Sequence, residues 1–223
     1  MDEEIKKHIL KTGTTTVGII CKEGVVVAAD KRGSYGGDGG VSYIASRDHT
    51  KVHEITEKII VTGAGVVSDI QRVVKLTRAE LKLKELRTKQ QPTVKDSANL
   101  FSNIVYQNIR QFSPIMALTH FLLAGYDNNG FYLFDISPDG TLEQVKDYEA
   151  TWSGMLQAHP ILDSEYNPNM SLEEGLKLAK KCINASRKRD PASGDGIDIF
   201  TVTKEEIKQA IKQELVSEFK DKN

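Results

Sequence analysis

No stretch of the 223-residue sequence approaches the roughly 18 apolar residues of a membrane-spanning helix, so a soluble protein without a membrane partner is expected. Net charge is nearly absent: 30 basic residues stand against 31 acidic ones. A chain so balanced has no electropositive field to gather a polyanion, and nucleic acid is not expected as a partner. Cysteine is scarce. Cys21 and Cys182 lie far apart, and Cys21 falls in an apolar strand, which suits buried reduced thiols and a cytoplasmic setting better than a disulfide framework. The five histidines form no Ser/His/Asp set and no metal-ligand spacing; His49 and His53 are four apart, but in a stretch read as strand and loop. The glycine-dense segment from Gly33 to Gly40 is followed by no Gly-Lys-Ser/Thr and opens no helix, so it reads as a mobile loop and not a phosphate cradle. Neither a metal nor an organic cofactor is expected.

What is present is strong periodicity. Residues 14–21 and the unbroken apolar run Val25 to Ala29 read as a hairpin turned by Lys22-Glu23-Gly24, the second strand covered on both faces. Strands are expected at 51–55 and 59–62, with Gly63-Ala64-Gly65 leading into a helix carried by Ile70, Val73, Val74 and Leu81. Leu76, Leu83 and Leu86 widen that stripe toward a second surface. Thr93 and Asp96 read as a cap for a second helix, with an apolar face from Leu100 to Phe112. Strands follow at 119–127 and 131–136 across Asn128-Asn129-Gly130, and near Leu142 and Tyr148. A helix capped at Ser171 runs to Arg189, a strand spans 197–203, and a polar helix spans 204–220. Strands, paired helices, strands and helices again, with no linker, predict one α+β domain with helices outside a central pair of sheets. Residues 1–13 are charged and lack the apolar core of a secretory signal, so export is not expected.

The chemistry centres on Gly13-Thr14-Thr15-Thr16-Val17-Gly18. Downstream stand Val25-Val26-Val27-Ala28-Ala29-Asp30-Lys31-Arg32, Lys51-Val52-His53-Glu54-Ile55, Thr62-Gly63-Ala64-Gly65, Thr151-Trp152-Ser153-Gly154, and Arg189-Asp190-Pro191-Ala192-Ser193-Gly194-Asp195-Gly196-Ile197-Asp198. From about Gly13 to about Thr203 this order resembles the beta-type subunits of the proteasome core particle, the archaeal ones most closely. The resemblance implies a four-layer αββα sandwich of the N-terminal nucleophile hydrolase type. It also implies a propeptide, residues 1–13, removed by self-cleavage to leave a single catalytic domain, 14–223, and threonine endopeptidase activity on unfolded polypeptides.

A threonine hydroxyl needs a base, and a freed α-amine, with a pKa of about 7.7 to 8.0, can supply it without histidine. On the resemblance Thr14 is the nucleophile, Lys51 the cation beside it, and Asp30 the carboxylate holding Lys51. Gly65 is the oxyanion-hole N–H, and Ser153, Asp190 and Ser193 surround the threonine. Each position has an alternative reading: a solvated strand-end lysine, a turn-starting aspartate, a tight strand-to-helix glycine, and helix caps at Ser153 and Asp190. Ser34, His53, Gly63 and Gln71 match substrate-pocket positions. Gly63 at the floor implies a deep pocket, and no carboxylate stands at Gln71, so large neutral side chains are expected before the cut unless Asp38 supplies charge. Three departures stand out: a longer loop from Gly33 to Ser42, Trp152 in place of a small glycine, and Pro191 in place of serine. The implied partners are alpha-type and other beta-type subunits in stacked rings, with an ATPase regulatory cap as a further candidate. A non-catalytic structural ring subunit is the alternative function.

Overall fold

Apolar runs become the inner strands, and the two-residue period of a strand sorts their side chains between two cores. In β3 (Gly24–Asp30), all seven residues are buried. Val25, Val27 and Ala29 enter a cluster between two sheets, whereas Val26 and Ala28 enter another beneath helices. The same alternation divides β7 (Ile59–Val66) and β8 (Thr119–Asp127). Ile60, Leu122 and Ala124 lie between the sheets, and Ile59, Val61, Phe121 and Leu123 face helices.

The computed structural model describes residues 10–35, 43–113 and 116–215. The other strands are β1 (Leu10–Thr12), β2 (Thr16–Cys21), β4 (Gly33–Tyr35), β5 (Tyr43–Ser46), β6 (Val52–Thr56), β9 (Gly130–Ile136), β10 (Leu142–Val145), β11 (Tyr148–Thr151), β12 (Gly196–Val202) and β13 (Ile207–Glu214). The helices are α1 (Val67–Thr88), α2 (Val94–Arg110), α3 (Met155–Glu165) and α4 (Leu172–Ser186). One sheet runs β10-β9-β8-β7-β1-β4-β5, with β6 beside the first half of β7; the other runs β11-β2-β3-β12-β13. Helices α1 and α2 pack on the first sheet, α3 and α4 on the second, and the sheets pack on each other. This is the expected αββα sandwich.

The caps agree with the sequence. Thr93 Oγ1 accepts from the Asp96 N–H at 3.1 Å, and Ser171 with Glu174 completes a reciprocal capping box at the start of α4.

Four local expectations are corrected. The polar helix from about 204 is a strand over 207–214, paired along β12. Ile207 and Ile211, four apart, suit a helical stripe, but along the edge of β12 a bulge opposite Ile199 and Phe200 sends Ile207 between the sheets and Ile211 to the helix-facing core. Gly33–Tyr35 is not loop but β4, held between β1 and β5. Gly63-Ala64-Gly65 continues β7 and does not leave it. Helix α2 ends at Arg110, so Phe112 lies beyond it and is exposed. Residues 1–9 of the segment expected to be removed, Asp38 and residues 216–223 lie outside the described residues.

Candidate active site

The chain enters the site from β1 and leaves it as β2, so residues 13–15 cross from one sheet to the other. Gly13 passes against the 190–195 loop: a Cβ there would stand 1.9 Å from the Cβ of Ala192, so no larger residue fits without displacing it. Thr14, Thr15 and Thr16 are fully buried. The Thr14 N–H donates to Ser153 Oγ at 3.1 Å, and its carbonyl accepts from the Gly154 N–H at 3.2 Å. A side chain at 154 would collide with Thr15 Oγ1, so this close approach depends on glycine.

Asp30, at the end of β3, organises the far side. Its Oδ1 accepts from the Thr15 N–H at 2.9 Å and from Lys51 Nζ at 2.8 Å; its Oδ2 accepts from the N–H groups of Arg32 at 3.0 Å and Gly194 at 2.8 Å. Four donors leave no lone pair of a buried carboxylate unanswered, which is the condition for holding a charge away from water. Lys51 is also buried, and its ammonium reaches the Gly13 carbonyl oxygen at 3.0 Å. Burial pushes the Lys51 pKa below the usual lysine value, while the Asp30 carboxylate opposes that shift. The lysine is therefore a charged donor whose proton is held less tightly than that of a solvated one.

Asp190, beyond α4, gathers the hydroxyls. Its Oδ2 accepts from Ser153 Oγ at 2.7 Å and Ser193 Oγ at 2.6 Å, and its Oδ1 from the Ala192 N–H at 3.0 Å. Each serine has one proton, and a carboxylate is the stronger acceptor. Ser153 Oγ thus remains an acceptor toward Thr14, and Ser193 Oγ an acceptor for Thr15 Oγ1 at 2.8 Å. Ser153 does not cap α3, whose N-cap is Gly154 with no side-chain bond. The capping alternative therefore gives way at Ser153.

Gly65 lies in β7, in register opposite Thr12 of β1. Its φ of +117° is a conformation that glycine tolerates, and a Cβ there would stand 2.1 Å from the Leu118 carbonyl oxygen. Gly65 is thus both a backbone necessity and an element of the strand that flanks residues 10–12.

The pocket positions are less concentrated. Ser34 is in register opposite Lys11. His53 pairs with Val61 and shares its helix-facing side, as does Gly63, while Gln71 is exposed on α1. The depth expected from Gly63 is corrected: a Cβ there would lie 2.8 Å from an Ile70 methyl and 3.3 Å from Phe121, which already close that space with an apolar floor. Burial, with Arg78 and His49 adding to it, pushes the His53 pKa down to about 4, so His53 is neutral at ordinary pH.

Several residues had no role assigned from sequence. Arg32 ties the 190–195 loop to β3 through Nε to Asp195 Oδ2 at 2.6 Å and Nη1 to the Pro191 carbonyl at 2.8 Å. Thr15 lends both its N–H and its hydroxyl to the site. Arg32 and Asp195 stand inside the quoted motifs, and only the closed fold pairs them across 163 positions. Among the described residues, no group of three or more His, Cys, Asp or Glu is placed to hold a metal, and no helix is long and apolar enough to cross a membrane.

Comparison with known proteins agrees with this geometry. The family described as Proteasome subunit matches residues 10–202. "Proteasome subunit beta" of Archaeoglobus fulgidus is 37% identical over 211 residues, covering 95% of this chain and 94% of its own length. "Proteasome subunit beta 2" of Pyrococcus furiosus is 42% identical over 197 residues, covering 88% of this chain and 90% of its own. A threonine run between two sheets, ringed by Asp30, Lys51, Ser153, Asp190 and Ser193 within a matched αββα frame, places this chain in the proteasome subunit family, among its beta-type members.

Proposed function

We propose that the chain is a threonine endopeptidase subunit that first cuts its own Gly13–Thr14 bond and then hydrolyses peptide bonds of unfolded polypeptides. The observation that carries this reading is the Lys51 ammonium, bound to Asp30 and at 3.0 Å from the Gly13 carbonyl oxygen, beside a Thr14 N–H held by Ser153. In self-cleavage the Thr14 hydroxyl adds to the Gly13 carbonyl carbon. Charge that develops on the carbonyl oxygen meets the Lys51 donor already in place. The C–N bond then breaks, and the nitrogen leaves protonated as the α-amine. Water hydrolyses the resulting ester, releasing the segment through Gly13 as a carboxylic acid.

The product carries its own base. On a second peptide bond the α-amine takes the hydroxyl proton as the threonine oxygen adds to the carbonyl carbon, and the Gly65 N–H receives the oxyanion. The C–N bond breaks with that proton passing to the departing amine, and water hydrolyses the ester to restore the hydroxyl and release a carboxylic acid. Ser153 orients the amine, and Asp190 fixes the serine proton away from it. Residues 10–12 support this path from another direction, because they form an antiparallel strand between β4 and β7. Once released they leave a slot about two strand spacings wide, roughly 9.5 Å, bordered by unpaired backbone groups that fit one extended chain. The apolar floor of Ile70 and Phe121 and the neutral His53 favour an uncharged, apolar side chain before the cut.

Stacked rings with alpha-type and other beta-type subunits are the expected assembly. Leu76, Leu83 and Leu86 on α1, and Met155 and Leu156 on α3, are exposed and available to such contacts. Intact-mass spectrometry tests the reading. The wild-type chain, expressed with an alpha-type partner, loses residues 1–13 and cleaves peptides, whereas Thr14→Ala keeps its full mass and is inactive. Normal processing of Thr14→Ala without active neighbours, or a processed wild type with no peptidase activity, rejects the proposal.

A further inference from the structure

Trp152, the sole tryptophan of the chain, has φ +70°, in the left-handed region that a bulky side chain rarely occupies. Such a conformation persists only where the surroundings impose it. The backbone supplies one restraint, since the Trp152 carbonyl accepts from the Met155 N–H at 3.1 Å. The side chain supplies the other. The indole meets the His120 ring nearly edge-on, with centroids 6.4 Å apart and planes at 73°. His120 is not free to turn, because its Nε2 bonds Asp135 Oδ1 at 2.6 Å and Asp135 Oδ2 accepts from Ser137 Oγ at 3.3 Å. The next residue after this turn is Ser153, whose Oγ holds the Thr14 N–H.

We infer that His120, locked by Asp135, is a positioning residue: by bracing the indole of Trp152 it holds the left-handed turn that sets Ser153 Oγ against the Thr14 nitrogen. The inference rests on the proposed function for its catalytic consequence and on geometry alone for the contact. Its logic is that a bulky residue at φ +70° needs a brace, whereas glycine there needs none. His120 therefore matters only while residue 152 is tryptophan. A misplaced Ser153 leaves substrate binding nearly intact and disturbs the amine that activates the hydroxyl, so the loss falls on kcat and not on KM.

A double-substitution cycle on the assembled, processed protein tests this with a fluorogenic peptide amide. His120→Ala is expected to lower kcat about tenfold with KM nearly unchanged, as loss of orientation does. His120→Phe, which keeps a ring against the indole, recovers most of that loss. In a Trp152→Gly background His120→Ala has no further effect. An equal kcat loss from His120→Ala in both backgrounds overturns the proposal, as does a loss confined to KM. Emission of the single tryptophan in the uncleaved full-length Thr14→Ala chain reads the contact without catalysis. A red shift with His120→Ala that is absent with His120→Phe supports the brace, and no shift with either rejects it. If the wild type neither processes nor cleaves peptides, the proposed function fails while the emission still decides the contact.

Discussion

Among the described residues two lysines are almost wholly removed from water, Lys31 and Lys51, each 1% exposed, and they answer the same electrostatic problem differently. Lys31 turns outward. It pairs with Asp48, whose side chain is 59% exposed, and approaches Asp198 at 3.9 Å, so part of its charge is shared with a screened surface carboxylate. Lys51 turns inward to Asp30, a carboxylate with no exposure, and gives a second donor to the Gly13 carbonyl. The first arrangement fastens the loop before β6 to the end of β3. The second keeps a buried donor at one backbone bond. A buried lysine is therefore no sign of chemistry by itself; the exposure of its partner and the target of its spare donor make the distinction.

Substitution should separate the two most sharply through turnover. Lys51→Ala removes a preorganised donor: self-cleavage at Gly13 should slow sharply, and in particles whose beta chain is made to begin at Thr14 kcat should fall about 100- to 1,000-fold. Peptide hydrolysis measured beside particle yield checks this, and near-normal turnover would remove Lys51 from the mechanism. Lys31→Met should do the reverse. It leaves Asp198 buried with only Lys212 and the Gln209 amide to answer its charge, costing about 1–3 kcal/mol of stability, while turnover per folded particle stays within a few-fold. Denaturant unfolding of the full chain measures the first quantity, and a Lys31→Met loss of turnover as large as that of Lys51→Ala would erase the comparison.

His53 sharpens the contrast as a buried base whose neighbours Arg78 and His49 push its pKa down alongside burial. It therefore goes neutral. Its folded pKa of about 4 lies below the value of 6.5 expected when unfolded, so between these limits the unfolded chain binds the extra proton. Stability contributed by neutral His53 is present above about pH 6.5 and is lost as pH falls toward 4. The slope of unfolding free energy against pH in that window should flatten in His53→Gln, and an unchanged slope would assign the acid sensitivity to other groups.

Alternation and capping carry their geometry locally. The two-sided burial of β3, the stripe of α1 and the cap at Ser171 each depend on residues within a turn or two, and each is found as expected. The threonine run and its companion motifs were readable too, because a nucleophile that brings its own base needs few residues. The terminal segment was not: the Ile207–Ile211 spacing suits a helix, and only pairing along the edge of β12, with a bulge that sends the two residues to opposite faces, makes it a strand. Glycine 63 misled for a related reason. Its missing side chain suggests empty space, yet Ile70 from the next helix fills it.

Sequence by itself determined the layers and picked out the threonine run and the charged residues that the fold gathers around it, since burial period and side-chain chemistry are properties of short stretches. Only the tertiary structure decided which groups share a proton and which backbone atom each donor reaches. Ser153 lies 139 positions from Thr14, and Arg32 lies 163 from Asp195. Hydrogen bonds act over about 3 Å, and contacts across such separations are set by how two sheets close on each other, which no local pattern encodes.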